Sequence, residues 1–159
     1  MVVCCNIFII MSNKQIYKKQ LLNSIPIVQS MNIDIVKIES NKISIIAPLN
    51  KNINYEGTAF GGSINTLCVL SSYLLIHHIL KSHKIEFSSL VIQDSSIQYL
   101  KPVDSDFIAT ATIPVNCIDK FIEMFQKRSM ARVSTEAKIT SSNNSEFKAR
   151  FKSRFVAKA

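Results

Sequence analysis

Glycine is scarce in this chain. There are three glycines and four prolines in 159 residues, which excludes collagen-like and linker-like architectures. Carboxylates are also few, 11 against 19 lysines and arginines, for a formal charge of +8. Charged residues make up only 19% and apolar ones 47%, which excludes a disordered chain. No long uncharged apolar run stands out, so an ordinary membrane span of about 20 such residues is not expected. The four cysteines, Cys4, Cys5, Cys68 and Cys117, include no C-x-x-C pair, and the adjacent Cys4 and Cys5 are badly placed to bridge each other. With neither a disulfide framework nor a zinc pattern, the expected setting is a reducing cytoplasm.

What is present is the material of one globular domain. A chain of this length buries about two-thirds of its unfolded surface and needs no staples. Residues 2–11 are apolar but lack a basic n-region and an Ala-x-Ala cleavage site, so a secretory signal is not expected. Residues 1–13 read as an N-terminal extension, with Met11 an alternative start, ahead of a domain at 14–159. The basic balance suits nucleic acid, an anionic membrane, acidic proteins or polyanionic small molecules without choosing among them.

Residues 14–24 carry the spacing of a short amphipathic helix with Ile16, Leu21 and Leu22 inward, limited by Pro26. Ile33–Glu39 and Lys42–Ala47 alternate around Ser40-Asn41, which predicts a β-hairpin. Ser63–Lys81 has no proline or glycine and apolar residues on nearly every side, the pattern of a helix buried all round. Strands are expected over Leu90–Leu100, Asp106–Val115 and Arg132–Thr140. Between the last two, Ile118, Phe121, Ile122 and Phe125 mark a short helix. In the last strand Phe147, Phe151 and Phe155 alternate with Lys148, Arg150, Lys152 and Arg154, which puts the rings on one sheet face and the cations on the other. Runs of strands with one fully buried helix predict an α+β fold, an antiparallel sheet wrapped around a central helix.

All three glycines fall within Gly57-Thr-Ala-Phe-Gly61-Gly62. Two of them stand directly before the long helix, whose first N–H groups are unpaired donors at a positive dipole end. Such an end can hold a negatively charged oxygen. The spacing fits neither a Walker A loop nor a dinucleotide fingerprint. On physics alone a tight turn with Ser63 as N-cap is the first reading, and a carbonyl-polarising site the second. Among the histidines, His77, His78 and His83 sit near the helix C-terminus, where imidazoles complement the dipole. No H-x-x-x-H or other metal pattern exists, and no nucleic-acid-binding motif.

The segment Ala47–Ser63, with Asn54 and Thr58-Ala-Phe-Gly-Gly-Ser63, followed by the buried helix and Val91–Val103 ending in Tyr99-Leu-Lys-Pro-Val103, resembles the hotdog-fold thioesterase superfamily. Within it, the segment is similar to the branch typified by the C-terminal domain of YiiD, which includes malonyl-acyl-carrier-protein decarboxylases. The resemblance covers roughly residues 20–156. It implies the hotdog fold and at least a homodimer, with sites at the subunit interface. It also implies catalysis by Asn54 and by the Gly61 and Gly62 N–H groups on the thioester carbonyl. Phe60 stands where the superfamily often has histidine, and Val69 where it often has an acid. Thr58, Phe60, Ser63 and Val69 are then expected to line the substrate site. Lys148 and Arg150 are expected to meet an acidic acyl carrier protein or the phosphates of coenzyme A.

The missing acid has a chemical meaning. Thioester hydrolysis needs a base or nucleophile, whereas decarboxylation of a malonyl thioester needs only donors at the carbonyl oxygen that becomes an enolate. The expected activity is therefore malonyl-carrier decarboxylation. Hydrolysis with Asp94 or Glu56 as base is the alternative, and a non-catalytic acyl-thioester-binding protein a further one. Asp94 reads equally as a satisfied strand-face acid. No cofactor beyond the substrate's own pantetheine is expected, and neither nucleic acid nor a membrane as partner.

Overall fold

The computed structural model describes residues 14–20 and 24–159. The expected extension at 1–13, and Leu21 and Leu22 of the first helix, lie outside the described residues. Residues 14–20 are helical, but the inward side chain is Tyr17, which is buried, while Ile16 is half exposed. Pro26 does more than end that helix: it occupies the first turn of α1 (Pro26–Met31), where a missing N–H costs nothing.

The hairpin forms as its alternation predicts, β1 (Asp34–Glu39) against β2 (Lys42–Ala47). Then come α2 (Gly61–Ser82), β3 (Ser89–Tyr99), β4 (Phe107–Thr112), α3 (Val115–Arg128), β5 (Met130–Ser141) and β6 (Phe147–Lys158). The six strands make one antiparallel sheet in the order β1-β2-β4-β5-β6-β3. The expected α+β architecture is present: the sheet's inner face packs on α2. Ala109, Ala111, Ala137 and Ala149 on that face are fully buried, and such small side chains let a thick apolar helix lie close.

By length and composition α2 reaches the size of a membrane span, against the expectation from sequence. Its surroundings decide its role. Leu67, Leu75, Ile76 and Leu80 have no exposed surface because the sheet covers them, so α2 is a core helix. A stripe through Gly62, Thr66, Val69, Tyr73 and His77 keeps partial exposure along the middle of the helix, as do residues at its two ends. Inside, Thr135 Oγ1 hydrogen-bonds Ser72 Oγ at 2.8 Å and Ser153 Oγ at 2.7 Å, so these buried hydroxyls satisfy one another.

Three local expectations change. The strand expected to reach Val115 stops at Thr112, because Pro114 is the N-cap of α3. That helix does bury Ile118, Phe121, Ile122 and Phe125. The central helix begins at Gly61, with Phe60 rather than Ser63 at the N-cap. In β6 the register shifts at Lys148, since Ile139 faces Ala149 but Thr140 faces Phe147. This bulge moves Phe147 off the face shared by Phe151 and Phe155. Its ring instead lies exposed beneath Lys138, 4.5 Å from the ammonium. Lys148 leaves the open cationic face as well: its side chain is nearly covered and pairs with Glu146 at 3.2 Å.

Candidate functional site

The asparagine turn is built from its own side chain. Ile53 and Ala59 form an isolated antiparallel bridge. Between them Asn54 N–H donates to Thr58 O at 2.7 Å, and Gly57 N–H to Asn54 O at 3.2 Å. Gly57 sits at φ +79°, a conformation that favours glycine. Asn54 Oδ1 accepts from the N–H groups of Glu56 (2.9 Å) and Thr58 (3.0 Å). Its Nδ2 donates to Thr58 Oγ1 at 3.0 Å and, more weakly, to Ala59 O at 3.4 Å. The Asn54 amide therefore works mainly inside its own loop, as Asx turns do, with one of its two N–H donors held only weakly, by Ala59 O.

Two further bonds set the turn in place. Ala59 N–H donates to Val103 O at 2.8 Å and Phe60 N–H to Asn52 O at 2.7 Å. Asn52 is itself buried, its amide donating to Met31 O and Pro48 O. The chain then enters α2 with Gly61, Gly62 and Ser63 as its first three residues. No side chain caps this end, and among the described residues no backbone carbonyl receives these three N–H groups. They are the orphan donors of a 22-residue helix at its positive end. Of the two glycines, Gly62 has the nearer neighbour: a Cβ there would lie 2.3 Å from the Phe60 ring, which would have to swing aside. That ring, more than half exposed, leans on the Gly62 backbone.

Tyr99, at the end of β3, fixes the turn from the opposite side. Its hydroxyl donates to Gly61 O at 3.0 Å. Burial, with the nearby Cys68 as a smaller cause, raises its pKa above the usual 10.0, so the proton is present at neutral pH. Thr58, Ala59, Gly61 and Ile64 face Tyr99–Val103 across a groove of about 300 Å³. No carboxylate lines it.

Of the residues expected at the site, Thr58 and Gly61 line the groove. Asn54 lies within the turn before it, Phe60, Gly62 and Ser63 adjoin Gly61 at the head of α2, and Val69 is half-buried further along that helix. It does not bring Asp94 to them. Asp94 faces Arg154 across the β3–β6 ladder, on the sheet face opposite that of Tyr99, beside Ser96, Ser134 and Lys152. It is a strand-face acid in this chain. Glu56 is exposed at the turn. Arg150 lies on the same outer face as Asp94, whereas Lys148 joins Lys101 around Glu146, beside the groove wall. Tyr99 is the residue sequence reasoning left without a role, although it stands in the motif Tyr99-Leu-Lys-Pro. Nothing local announces a contact with a residue 38 positions away. Among the described residues no group of His, Cys, Asp and Glu could hold a metal ion. Cys68 is buried, its thiol pushed up to about 12 by desolvation, and so is no nucleophile.

Residues 14–159 match the family described as "Putative thioesterase (yiiD_Cterm)". The chain belongs to this family. Its members are hotdog-fold proteins of the acyl-thioester-enzyme kind, and the fold agrees. A putative thioesterase from Shewanella oneidensis superposes with a TM-score of 0.83 at 24% identity, over 92% of this chain and 97% of that one. A protein with unknown function from Chlorobaculum tepidum gives 0.85 at 23% identity, over 91% and 93%. A thioesterase from Haemophilus influenzae gives 0.71 at 19% identity, over 91% and 90%. No curated protein matches the chain. Within the family, this member has unpaired amides at the head of its central helix and a groove without an acid.

Proposed function

We propose that the protein decarboxylates a malonyl thioester, carried by an acyl carrier protein or coenzyme A, to the acetyl thioester. The observation that carries this reading is that the free Gly61, Gly62 and Ser63 N–H groups open a helix whose first residue, Gly61, walls a groove that no carboxylate lines. The thioester carbonyl oxygen lies at the amides. The Cα–carboxylate bond breaks, CO2 leaves, and its electron pair passes into the carbonyl to give a thioester enolate. A solvent proton then adds to carbon. One good donor at such an oxygen lowers the barrier by about 3 kcal/mol, and no protein base takes part. Val69, where related enzymes place an acid, is no handicap.

Asn54 serves this chemistry by shaping the turn rather than by touching the oxygen. Phe60 and Val69 supply apolar cover for the departing carboxylate, and Lys101, half exposed on the groove wall, favours a polyanionic carrier or coenzyme phosphates there. A second copy completes the pocket by pairing along β3, an edge strand 11 residues long with Val91, Ile92 and Tyr99 exposed.

The family's description as a thioesterase favours a second reading, hydrolysis. In that case the base comes from Glu56 or from Asp94 of another copy. Incubating the protein with malonyl-carrier protein and malonyl-CoA, and following intact mass together with free thiol, separates the two. Decarboxylation removes the mass of CO2 and keeps the thioester, and Asp94→Asn leaves it unchanged. Free thiol, abolished by Asp94→Asn or Glu56→Gln, replaces this reading with hydrolysis. Binding of malonyl-CoA with no turnover leaves a non-catalytic acyl-thioester binder.

A further inference from the structure

We infer that Tyr99 is a positioning residue that sets the donor strength and direction of the Gly62 N–H. The inference rests on the reading that this N–H receives the substrate oxygen. The Gly61 carbonyl and the Gly62 N–H are two ends of one peptide unit. Because C–N resonance couples those ends, a hydrogen bond to the carbonyl oxygen draws electron density from nitrogen and makes the N–H a better donor, the cooperativity of hydrogen-bond chains. Tyr99 Oη supplies that bond at 3.0 Å. Its acceptor is the carbonyl of the first helical residue, where an oxygen has a lone pair beyond the one used in the helical ladder.

The geometry of the ring strengthens the argument. Tyr99 ring atoms lie 3.6 Å from where a Gly61 Cβ would be, so the ring lies beside Gly61 as well as bonding its carbonyl. The Phe60 ring lies where a side chain at Gly62 would begin. The Gly61–Gly62 peptide, which has no side chain of its own to hold it, thus has two aromatic residues as neighbours. Tyr99 reaches it from the last position of the sheet's edge strand. The chain past Tyr99 is itself fastened, since Leu100 and Lys101 both donate N–H bonds to Lys148 O at the β6 bulge, at 2.9 and 3.1 Å. The bulge, otherwise a break in a regular ladder, thereby anchors the segment that delivers the Tyr99 hydroxyl. A tyrosine serving only the fold would need no acceptor in this peptide, because its ring is half exposed.

The test is Tyr99→Phe, which keeps the ring and removes one oxygen. Two readouts are taken on the full chain. The Gly62 amide proton and nitrogen resonances, assigned by selective glycine labelling, report on the peptide without substrate. Turnover of malonyl-CoA by the wild type and the variant reports on chemistry. The expected result is an upfield move of the Gly62 amide proton with an unchanged thermal midpoint, and a fall in kcat of about tenfold with KM within about twofold. Tyr99→Leu should lose the ring support too and fall further. An unmoved Gly62 resonance, or an unchanged kcat in Tyr99→Phe, overturns the inference while the wild type still turns over. A wild type that transforms no thioester overturns instead the reading on which the inference rests.

Discussion

At the scale of single residues, Asn54 and Thr58 form a unit. Asn54 closes its loop through three bonds of 2.9–3.0 Å, one of them to the Thr58 hydroxyl. Asn54→Ala therefore removes acceptor and donor together, at about 1–2 kcal/mol of stability, and lets the glycine turn relax. Thr58→Val removes only the acceptor of the Asn54 amide. If Asn54 acts by holding the turn, both variants lower kcat, and the double variant loses little more than Asn54→Ala alone, the non-additivity of residues in one network. Urea unfolding and steady-state kinetics on the four proteins of this cycle measure it. A Thr58→Val variant as active as wild type would instead assign the Asn54 amide to the substrate.

Among the elements, the legible ones obey one simple period. The β1–β2 hairpin, the four inward positions of α3 and the buried central helix all follow from alternation or 3.6-residue spacing. The illegible features are those where one residue breaks the period or a distant one intervenes. A bulge at Lys148 reverses Phe147, because every residue beyond a one-residue insertion changes face. The start of α2 at Gly61 instead of Ser63 reflects a turn held by Asn52, Val103 and Tyr99, none of which local propensity can weigh. The glycine turn itself was visible as a cluster, but Asn54's role inside its loop and Tyr99's bond to Gly61 required tertiary structure. Similarly, Tyr17 rather than Ile16 turns inward because it meets histidines of α2: its hydroxyl lies 3.1 Å from His78 Nδ1, and its ring stands edge-on to His77.

That helix contact has a pH signature. Burial lowers the pKa of both His77 and His78 below the ordinary 6.5, with the Lys81 charge a lesser cause at His77. The unfolded chain therefore binds more protons than the folded one below pH 6.5, so stability is full above that value and declines as pH falls through the lowered folded-state pKa values. Urea midpoints at about pH 7.5 and about pH 5.5 should show the lower stability at the acid value. The variant His77→Gln/His78→Gln should lose most of this difference. An equal acid loss in that variant would assign the effect to other groups.

At the scale of the whole molecule, the two sheet edges differ. On β1, the register shifts at Val36, Lys14 Nζ bonds Val36 O, and Lys37 pairs with Glu39, devices that discourage strand addition. On β3, 11 residues long with one register shift after Ile92, Val91, Ile92 and Tyr99 are exposed among polar residues. A second copy of the chain is the expected occupant of that edge. Light scattering should give twice the chain mass, and Ile92→Glu should shift the protein toward monomer on dilution while leaving its circular dichroism unchanged. A wild type that stays monomeric at high concentration contradicts this arrangement.

In the proposed reaction, unpaired amides at the head of α2 act on a thioester carbonyl without a protein base. The most direct measurement is the mass of the thioester after incubating malonyl-carrier protein with the enzyme in D2O. The expected product is an acetyl thioester still attached to its carrier, carrying a solvent deuterium where carbon dioxide left, with no free thiol. Free carrier thiol together with malonate would contradict it and make the protein a hydrolase.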